Sequence, residues 1–317
     1  MLAVAAGAPA CRGWEGDVIL ARGASGADAA PGIDAPSAGD APLASETMAP
    51  IECPPETREV RLLFADGRLA TFHADATPAT LTNVLQLSCG ISSSAQQTPP
   101  SFAVDRHGDV WLLDENGTLF TIPRGTGTCI ATGFDMTKAG GPFRMAFVAD
   151  AGAPDKETLF IAVGTNKSAA GVPQNSELAA LNLVGLPTAG ARVTFQGWPM
   201  LTGTGDLGAG KGSLWGLFPS PATAMVTQNP RLKEISPETG ALGPRDILEQ
   251  AIVSPDLPRV VAWRGDFWIF VSGSRNLASR VSGVNGSPLV HADLGTELDG
   301  RPAELVAAAV STCAPVR

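Results

Sequence analysis

The sequence predicts an all-β protein, a five-bladed β-propeller whose ring is closed by the C-terminal strand. The first observation is a pattern of short apolar strands that recurs five times after Glu59. Its marker residues lie 48, 49, 55 and 53 residues apart, at Leu63, Trp111, Phe160, Trp215 and Trp268. A period of roughly fifty residues with several strands per unit is typical of propeller blades. The second observation is that the first unit lacks a strand which the far end of the chain supplies.

The second unit shows the pattern most clearly. It reads SFAVD, a turn at 106–109, VWLLD, a turn containing Asn116-Gly117, and TLFTIP. Asn-Gly between two apolar runs is a strong signal for a β-hairpin. The later units follow the same order, with FRMAFVAD, ETLFIAVG and SELAALNL, then WPMLTGTGD, GSLWGLF and PRLKEISPETGAL, then RVVAW, FWIFVSG and ASRVSGV.

The first unit begins directly at REVRLLFADGRLATFHA, which matches the second and third strands of the other units. Its missing first strand is predicted at 304–312, ELVAAAVST, which has the small apolar character of SFAVD. Such closure would remove the open sheet edges that otherwise pair with other chains. A six-bladed ring, with one sheet hidden in an irregular loop, and a β-sandwich are the alternatives.

The cysteines predict two disulfides. Cys89 and Cys129 follow the ends of units one and two, whose outer edges lie near each other in adjacent blades. Cys53 precedes the first strand and Cys313 follows the last, so a bond between them would tie the two ends of the ring together. Disulfides indicate an exported protein. The alternative is four buried thiols.

The N-terminal segment predicts export and an anchor. MLAVAAGAPAC is similar to the end of a bacterial secretion signal with a lipobox, so residues 1–11 are interpreted as its remnant and Cys11 as a lipidation site. Residues 12–57 are rich in Ala, Gly and Pro and are predicted to be a disordered tether, followed by the propeller domain at 58–317. An Ala-rich leader without function is the alternative. The predicted location is the bacterial cell envelope, as an outer-membrane lipoprotein or periplasmic protein, or the medium as a secreted one.

Composition excludes several classes of partner. The net charge is −9, which disfavours nucleic acid and adhesion to anionic lipid. No apolar run approaches the ~18 residues of a membrane-spanning helix, so contact with a membrane is expected only through a lipid anchor. Cys-x-x-Cys is absent and the three histidines are scattered, so no zinc site is predicted. We expect a monomer without a cofactor. If the protein is instead an enzyme, Ca²⁺ is the ion that we expect it to bind.

Acidic residues recur where the innermost strands end. Asp105, Asp150 and Asp206 occupy such positions, and Asp266 follows a turn glycine. Carboxylates around a central pocket would suit a glycosidase, which needs two of them. An aspartate at a strand end also bonds the amides of its own turn, and this structural interpretation is the one favoured.

The stretch TGTGD of unit four is the least core-like innermost strand. Thr202 and Thr204 could face the channel, and together with the four aspartates they form a speculative ligand-binding set. A bulged strand is the alternative. No phosphate-binding loop and no Gly-x-Ser-x-Gly elbow is present, so the sequence assigns no catalytic residue.

Two resemblances accompany these motifs. DRHGDVWLLDENGTLFTI resembles the short propeller repeats of sensor and NHL-like proteins. LLFADGRLATF, LTGTGD, SLWGLF, LKEISPETGAL and VSTCAP together resemble a group of uncharacterised predicted β-propeller lipoproteins of Gram-negative bacteria, over most of residues 58–315. The resemblance implies the fold and the envelope location, and no activity.

The sequence leaves two classes of function open. The tether, the anchor and the lack of a catalytic constellation favour a non-catalytic binding or scaffold propeller whose ligand is an unknown glycan or protein. The alternative is an exported hydrolase or lyase that acts on glycans or lactones through channel-facing carboxylates. The fold alone does not decide, because propellers carry many functions.

Overall fold

The structure is a computed structural model that describes residues 53–91, 100–135, 143–150, 153–167, 173–182, 188–196, 199–203, 212–218, 231–247 and 258–315. The predicted leader, Cys11 and nearly all of the predicted tether lie outside these ranges. Within them, one 3₁₀ turn at Pro55–Arg58 precedes a chain of β-strands. No helix in this part of the chain has the length and apolar character needed to cross a membrane.

The strands form five four-stranded antiparallel sheets, which are the five predicted blades. Blade 1 contains β1 (Val60–Phe64), β2 (Arg68–His73), β3 (Thr80–Gln86) and β22 (Leu305–Val310). Blade 2 contains β4 (Ser101–Val104), β5 (Val110–Leu113), β6 (Thr118–Ile122) and β7 (Ile130–Asp135). Blade 3 contains β8 (Phe143–Asp150), β9 (Ala153–Lys167), β10 (Pro173–Asn182) and β11 (Thr188–Gln196).

The two remaining blades have the same order from the centre outward. Blade 4 contains β12 (Met200–Gly203), β13 (Leu214–Phe218), β14 (Arg231–Ile235) and β15 (Leu242–Asp246). Blade 5 contains β16 (Arg259–Trp263), β17 (Asp266–Val271), β18 (Asn276–Val281) and β19 (Pro288–Gly295). A small ribbon of β20 (Glu297–Leu298) and β21 (Arg301–Pro302) then leads to β22.

The predicted closure of the ring is confirmed. β22 pairs antiparallel with β1, with Val60 opposite Val310 and Leu63 opposite Ala307. The innermost strands contact one another in a closed cycle, in the order β22, β4, β8, β12, β16 and back to β22. The alternatives of six blades and of a sandwich are thereby excluded.

The core lies between the blades. In the described part of the chain, buried apolar side chains form five clusters, one at each interface of neighbouring blades. Between blades 5 and 1, Phe72 packs edge-on against Trp268 and Phe270, with ring centroids 4.9 Å and 5.2 Å apart. Bulky residues recur on the second strand of each blade because that strand is covered on both faces.

Small residues let the inner strands approach closely. A Cβ on Gly203 of β12 would lie 1.7 Å from the carbonyl oxygen of Phe147 on β8.

Arg264 and Gly265 form the turn between β16 and β17, the first two strands of blade 5. Both residues have positive φ, of 50° and 73°. Two positive φ angles are the requirement of a two-residue type I′ hairpin turn.

Both predicted disulfides are confirmed. Cys53 bonds Cys313 with a Cα–Cα distance of 5.6 Å, and Cys89 bonds Cys129 with one of 5.5 Å. The first bond ties the segment before β1 to the segment after β22, beside the strand pair that closes the ring. The second joins the outer edges of blades 1 and 2. Two such bonds indicate an oxidising compartment outside the cytosol.

Candidate functional site

The five innermost strands run in one direction, so the central channel has two chemically different ends. Residues at or near the starts of these strands, among them Ser101, Arg144, Met200 and Val260, line one cavity. The opposite end is where the strands finish. We call this end the carboxyl mouth and define it by Asp105, Glu157 and Thr312.

Glu157 connects three blades at the carboxyl mouth. Its Oε1 accepts a hydrogen bond of 2.8 Å from the amide of Arg106, which follows the innermost strand of blade 2. Its Oε2 accepts one of 2.7 Å from the hydroxyl of Thr312, which follows β22 of blade 1. Glu157 itself belongs to β9 of blade 3. One carboxyl therefore connects residues of three blades and accepts a hydrogen bond at each of its oxygens.

The position of Glu157 follows from the length of one hairpin. β9 has 15 residues and β8 has eight, whereas β4 and β5 have four residues each. The pair Ala149 and Glu157 lies near the end of this longer hairpin, before the register shift at Asp150. Sequence reasoning did not find Glu157, because it considered acidic residues only at the ends of first strands and, for Asp266, after a turn glycine. The signal available was the lone acidic residue that opens ETLFIAVG.

Burial makes Glu157 a weaker acid than an ordinary glutamate. The side chain is half-buried, and burial raises its pKa from 4.5 to about 7. The amide of Arg106, the hydroxyl of Thr312 and the Arg106 charge act in the opposite direction, while the negative charge of Asp105 raises the pKa further. Near neutral pH this carboxyl is therefore divided between its acid and its base form.

Asp105 is held by its own turn, as the favoured structural interpretation expects. Its Oδ1 accepts from the amides of His107 and Asp109, both at 2.9 Å, and its Oδ2 accepts from Nε1 of Trp111 at 3.3 Å. Burial is the largest influence on Asp105 and raises its pKa, while these hydrogen bonds lower it. Because Arg106 is the next residue, the carboxylate lies beside Glu157 and acts on it electrostatically.

The other described aspartates of the predicted set do not reach the carboxyl mouth together. Asp150 accepts a hydrogen bond of 2.7 Å from the hydroxyl of Thr158, the residue after Glu157. Since neighbouring residues of a strand point to opposite faces, Asp150 and Glu157 lie on different faces of the hairpin. Asp266 accepts from Nη2 of Arg280 at 2.8 Å and from the amide of Gly283 at 3.1 Å, all within blade 5.

Thr202 is buried between two blades. Its Oγ1 accepts a hydrogen bond of 3.1 Å from the amide of Ala262 on the neighbouring innermost strand. Thr204 and Asp206 lie outside the described residues. Whether any of the six predicted residues binds a ligand stays a prediction, and so does Ca²⁺. In the described ranges no group of three or more His, Cys, Asp or Glu side chains is arranged to hold a metal ion.

The carboxyl mouth can supply a proton to a bound molecule. A carboxyl with a pKa about 7 can donate a proton at neutral pH and accept it again, which is the requirement for general acid–base catalysis. The charge of the neighbouring Asp105 raises the pKa of Glu157 and so favours its protonated form.

The likeness of this chain to known proteins is found among solved structures. A scan against protein-family models finds no match, and a search of the curated proteins finds none either. Solved structures do match. An α-L-arabinofuranosidase from Clostridium thermocellum matches with a TM-score of 0.41 and 11% identity, covering 74% of this chain and 94% of that chain. A thermostable family-43 glycoside hydrolase matches with a TM-score of 0.40 and 10% identity, covering 64% and 73%. The Dos1 propeller matches with a TM-score of 0.35 and 10% identity, covering 75% and 57%.

The favoured functional prediction, a non-catalytic binding or scaffold propeller, is corrected at this point. The matched structures include glycoside hydrolases, at TM-scores of 0.38 to 0.41 and 10–11% identity, and none of the findings supports a non-catalytic role. The prediction depended on the lack of a catalytic constellation in the sequence, and the structure adds to that sequence a carboxyl of raised pKa, Glu157, which the prediction did not consider.

Proposed function

We propose that the protein is an exported glycan hydrolase in which Glu157 is the proton donor. One observation carries the proposal, the oriented carboxyl at the carboxyl mouth whose pKa is raised to about 7. Glycoside hydrolysis needs an acid that is still protonated near the working pH, and a half-buried carboxyl meets that need. Thr312 and Arg106 hold it from two other blades, which fixes the direction in which a proton leaves.

A hydrolase of this kind needs a second carboxylate, as base or nucleophile. Asp105 is bonded by its turn, so we assign it the role of keeping Glu157 protonated through its charge. For the second catalytic carboxylate we propose Asp206, the acidic residue that ends the TGTGD stretch of unit four in the sequence and that lies outside the described residues.

The test is hydrolysis by the full chain of 4-nitrophenyl glycosides and of plant and bacterial polysaccharides. With unactivated glycans, Glu157→Gln is expected to lose at least about 100-fold in kcat/KM. With 2,4-dinitrophenyl glycosides, whose leaving group departs without a proton, the loss should be much smaller. Glu59→Gln, which removes a carboxylate near His73 on blade 1, is the matched control and should leave the rate unchanged.

Three results would overturn the proposal. One is that no member of the panel is hydrolysed above the uncatalysed rate. A second is a Glu157→Gln variant that cleaves unactivated glycans as fast as the wild type. A loss of equal size on both classes of leaving group would assign Glu157 a role in binding rather than in proton transfer.

We further propose that the propeller acts at the cell envelope as a monomer, attached through Cys11 and held off the surface by the tether at 12–57. The two disulfides and the resemblance to predicted lipoproteins support this location. A glycan of the envelope or its surroundings would be the partner. Cys11→Ala should move the protein from the membrane fraction to the soluble fraction, and unchanged partitioning would remove the anchor from the account.

A further inference from the structure

A hydroxyl, an imidazole and a carboxylate follow one another on blade 1. Nε2 of His73, at the end of β2, lies 2.5 Å from Oγ1 of Thr82 on β3. Nδ1 of the same ring lies 3.2 Å from Oε1 of Glu59, the residue before β1. The imidazole therefore has a hydroxyl at one nitrogen and a carboxylate at the other, which is the arrangement that activates a nucleophile in many hydrolases.

The strand register of blade 1 brings these three side chains together. Extending the pairing of β1 with β2 by one residue puts Glu59 opposite His73. On the other side His73 pairs with Thr80 of β3. Thr82, two residues further along, points to the same face as Thr80, and a diagonal neighbour of this kind is within reach of a long side chain.

The two partners of His73 determine which ring nitrogen carries the proton. A carboxylate only accepts, so the proton lies on Nδ1 beside Glu59, and Nε2 is left to accept the proton of the Thr82 hydroxyl. This is the tautomer that a general base needs. The side chains of His73 and Glu59 are 30% and 26% exposed, and Thr82 is exposed, so a molecule from solvent can reach the hydroxyl.

A β-bulge directly follows Thr82. Leu69 pairs with Leu85 and Thr71 pairs with Thr82, so two residues of β3 lie opposite one residue of β2. The first of the two, Asn83, has a φ of 51°, in the left-handed region that residues other than glycine seldom adopt. Bulges re-aim side chains and are frequent beside active sites. The residue after a nucleophile is also where hydrolases place an amide that binds the oxyanion, and Asn83 has that position.

The segment that carries the carboxylate is firmly anchored. Glu59 directly follows the 3₁₀ turn at Pro55–Arg58. In that turn Thr57 is buried, and its hydroxyl donates to the carbonyl oxygen of Pro54 at 2.6 Å. The disulfide of Cys53 fixes the start of the segment. A carboxylate held in this way can keep an imidazole in one orientation, as a catalytic arrangement requires.

From this geometry we infer that Thr82, His73 and Glu59 form a second hydrolytic site, which cleaves small acyl esters. The Thr82 oxygen attacks the acyl carbon while Nε2 of His73 takes its proton, and the alcohol leaves with that proton. Water then attacks the acyl–Thr82 ester, its proton passes to His73, and Thr82 recovers a proton from the ring as the acid is released. Glu59 is a positioning residue that orients the ring. The exposed position favours a small acyl group such as acetyl, since a long chain would need apolar walls.

The inference goes beyond the proposed glycan hydrolase and does not depend on it. A glycosidic bond contains no acyl group, so variants of this second site leave the hydrolysis assigned to Glu157 unchanged. Ester and glycoside hydrolysis are measured with different substrates, and the failure of one activity says nothing against the other.

The test is the hydrolysis of phenyl acetate by the full chain at pH 7, followed through the absorbance of phenol. This ester is chosen because ordinary surface imidazoles cleave only more activated esters at an appreciable rate. Thr82→Val and His73→Gln are each expected to lower kcat/KM at least about 100-fold. Thr82→Ser should keep most of the activity, because it keeps the hydroxyl.

A second hydroxyl–imidazole pair in the protein provides the matched control. On blade 5, Oγ of Ser279 lies 2.9 Å from Nδ1 of His291. The carboxylate two residues further along that strand, Asp293, accepts a hydrogen bond of 2.5 Å from Arg275. This pair lacks the carboxylate partner that defines the blade 1 site, so Ser279→Ala is expected to leave the ester rate unchanged.

Two further measurements separate a catalytic role from a structural one. Treatment with a fluorophosphonate, followed by mass spectrometry of the digested chain, is expected to find the adduct on Thr82 and to find none in His73→Gln. Nitrogen-15 NMR of the His73 ring should show the proton on Nδ1. Glu59→Gln should lower kcat for phenyl acetate with little change in KM and should remove the preference for this tautomer.

Three results would overturn the site. The first is a full chain that does not hydrolyse phenyl acetate above the uncatalysed rate. The second is a Thr82→Val variant that is as active as the wild type, and the third is a chain without a fluorophosphonate adduct on Thr82.

Discussion

Removal of the Cys53–Cys313 disulfide tests how the ring is held closed. The bond links residues 260 positions apart, and the Cys89–Cys129 bond links residues 40 apart. In the chain-entropy model, a cross-link restricts the unfolded chain by an amount that grows with the logarithm of this separation. The model gives a stabilisation of about 5–6 kcal/mol for the first bond and about 4 kcal/mol for the second.

The variant Cys53→Ser/Cys313→Ser is therefore expected to lose more free energy of unfolding than Cys89→Ser/Cys129→Ser, by about 1–2 kcal/mol. Guanidinium unfolding followed by Trp fluorescence measures both, without reductant. The second variant is the matched control, because it also removes two sulfur atoms and one cross-link. A Cys53→Ser/Cys313→Ser variant that unfolds at the midpoint of the wild type would refute the reasoning, and so would a reversed order of the two variants.

Two further predictions concern the inner strands and the carboxyl mouth. Gly203→Ala should lower the free energy of unfolding by about 3 kcal/mol, because the new Cβ would meet the carbonyl oxygen of Phe147. Gly90→Ala is the control: Gly90 has open space around it, so this variant should leave the free energy of unfolding unchanged in the same assay. The raised pKa of Glu157 means that, between about pH 4.5 and about pH 7, the folded state holds a proton that the unfolded state has released. The contribution of Glu157 to the free energy of unfolding is therefore complete below about pH 4.5 and is lost as the pH rises to about 7. After allowance for its partial exposure the fall is about 1–3 kcal/mol, and Glu157→Gln should remove it from the pH profile of unfolding; an identical profile in the variant would contradict the assignment.

The parts of the fold that the sequence predicted are those that are buried on two sides. Leu63, Trp215 and Trp268 lie on second strands between neighbouring blades, and their spacing therefore showed the period of the ring. The outermost strands were not identified as separate elements. β3 and β19 have mostly exposed or half-buried residues, so they carry little of the apolar pattern on which strand prediction depends.

The site was harder to predict because its parts come together only in the ring. Asp105 was recognised as a turn residue from its local sequence, and its hydrogen bonds agree with that. Glu157 has no local signal of that kind, since Arg106 and Thr312, which hold it, are 51 and 155 residues away. Thr202 was considered as a residue that could face the channel; its hydroxyl accepts a hydrogen bond from the adjacent innermost strand, and a role in ligand binding stays a prediction.

The measurement that tests the central claim most directly is the titration of the Glu157 carboxyl. The full chain, labelled with ¹³C at glutamate side chains, would be followed by NMR between pH 3 and 9, with Glu157→Gln to assign the resonance. The account predicts a midpoint at about 7. A midpoint at the ordinary glutamate value of about 4.3 would contradict it, because the carboxyl would then hold no proton to donate near neutral pH.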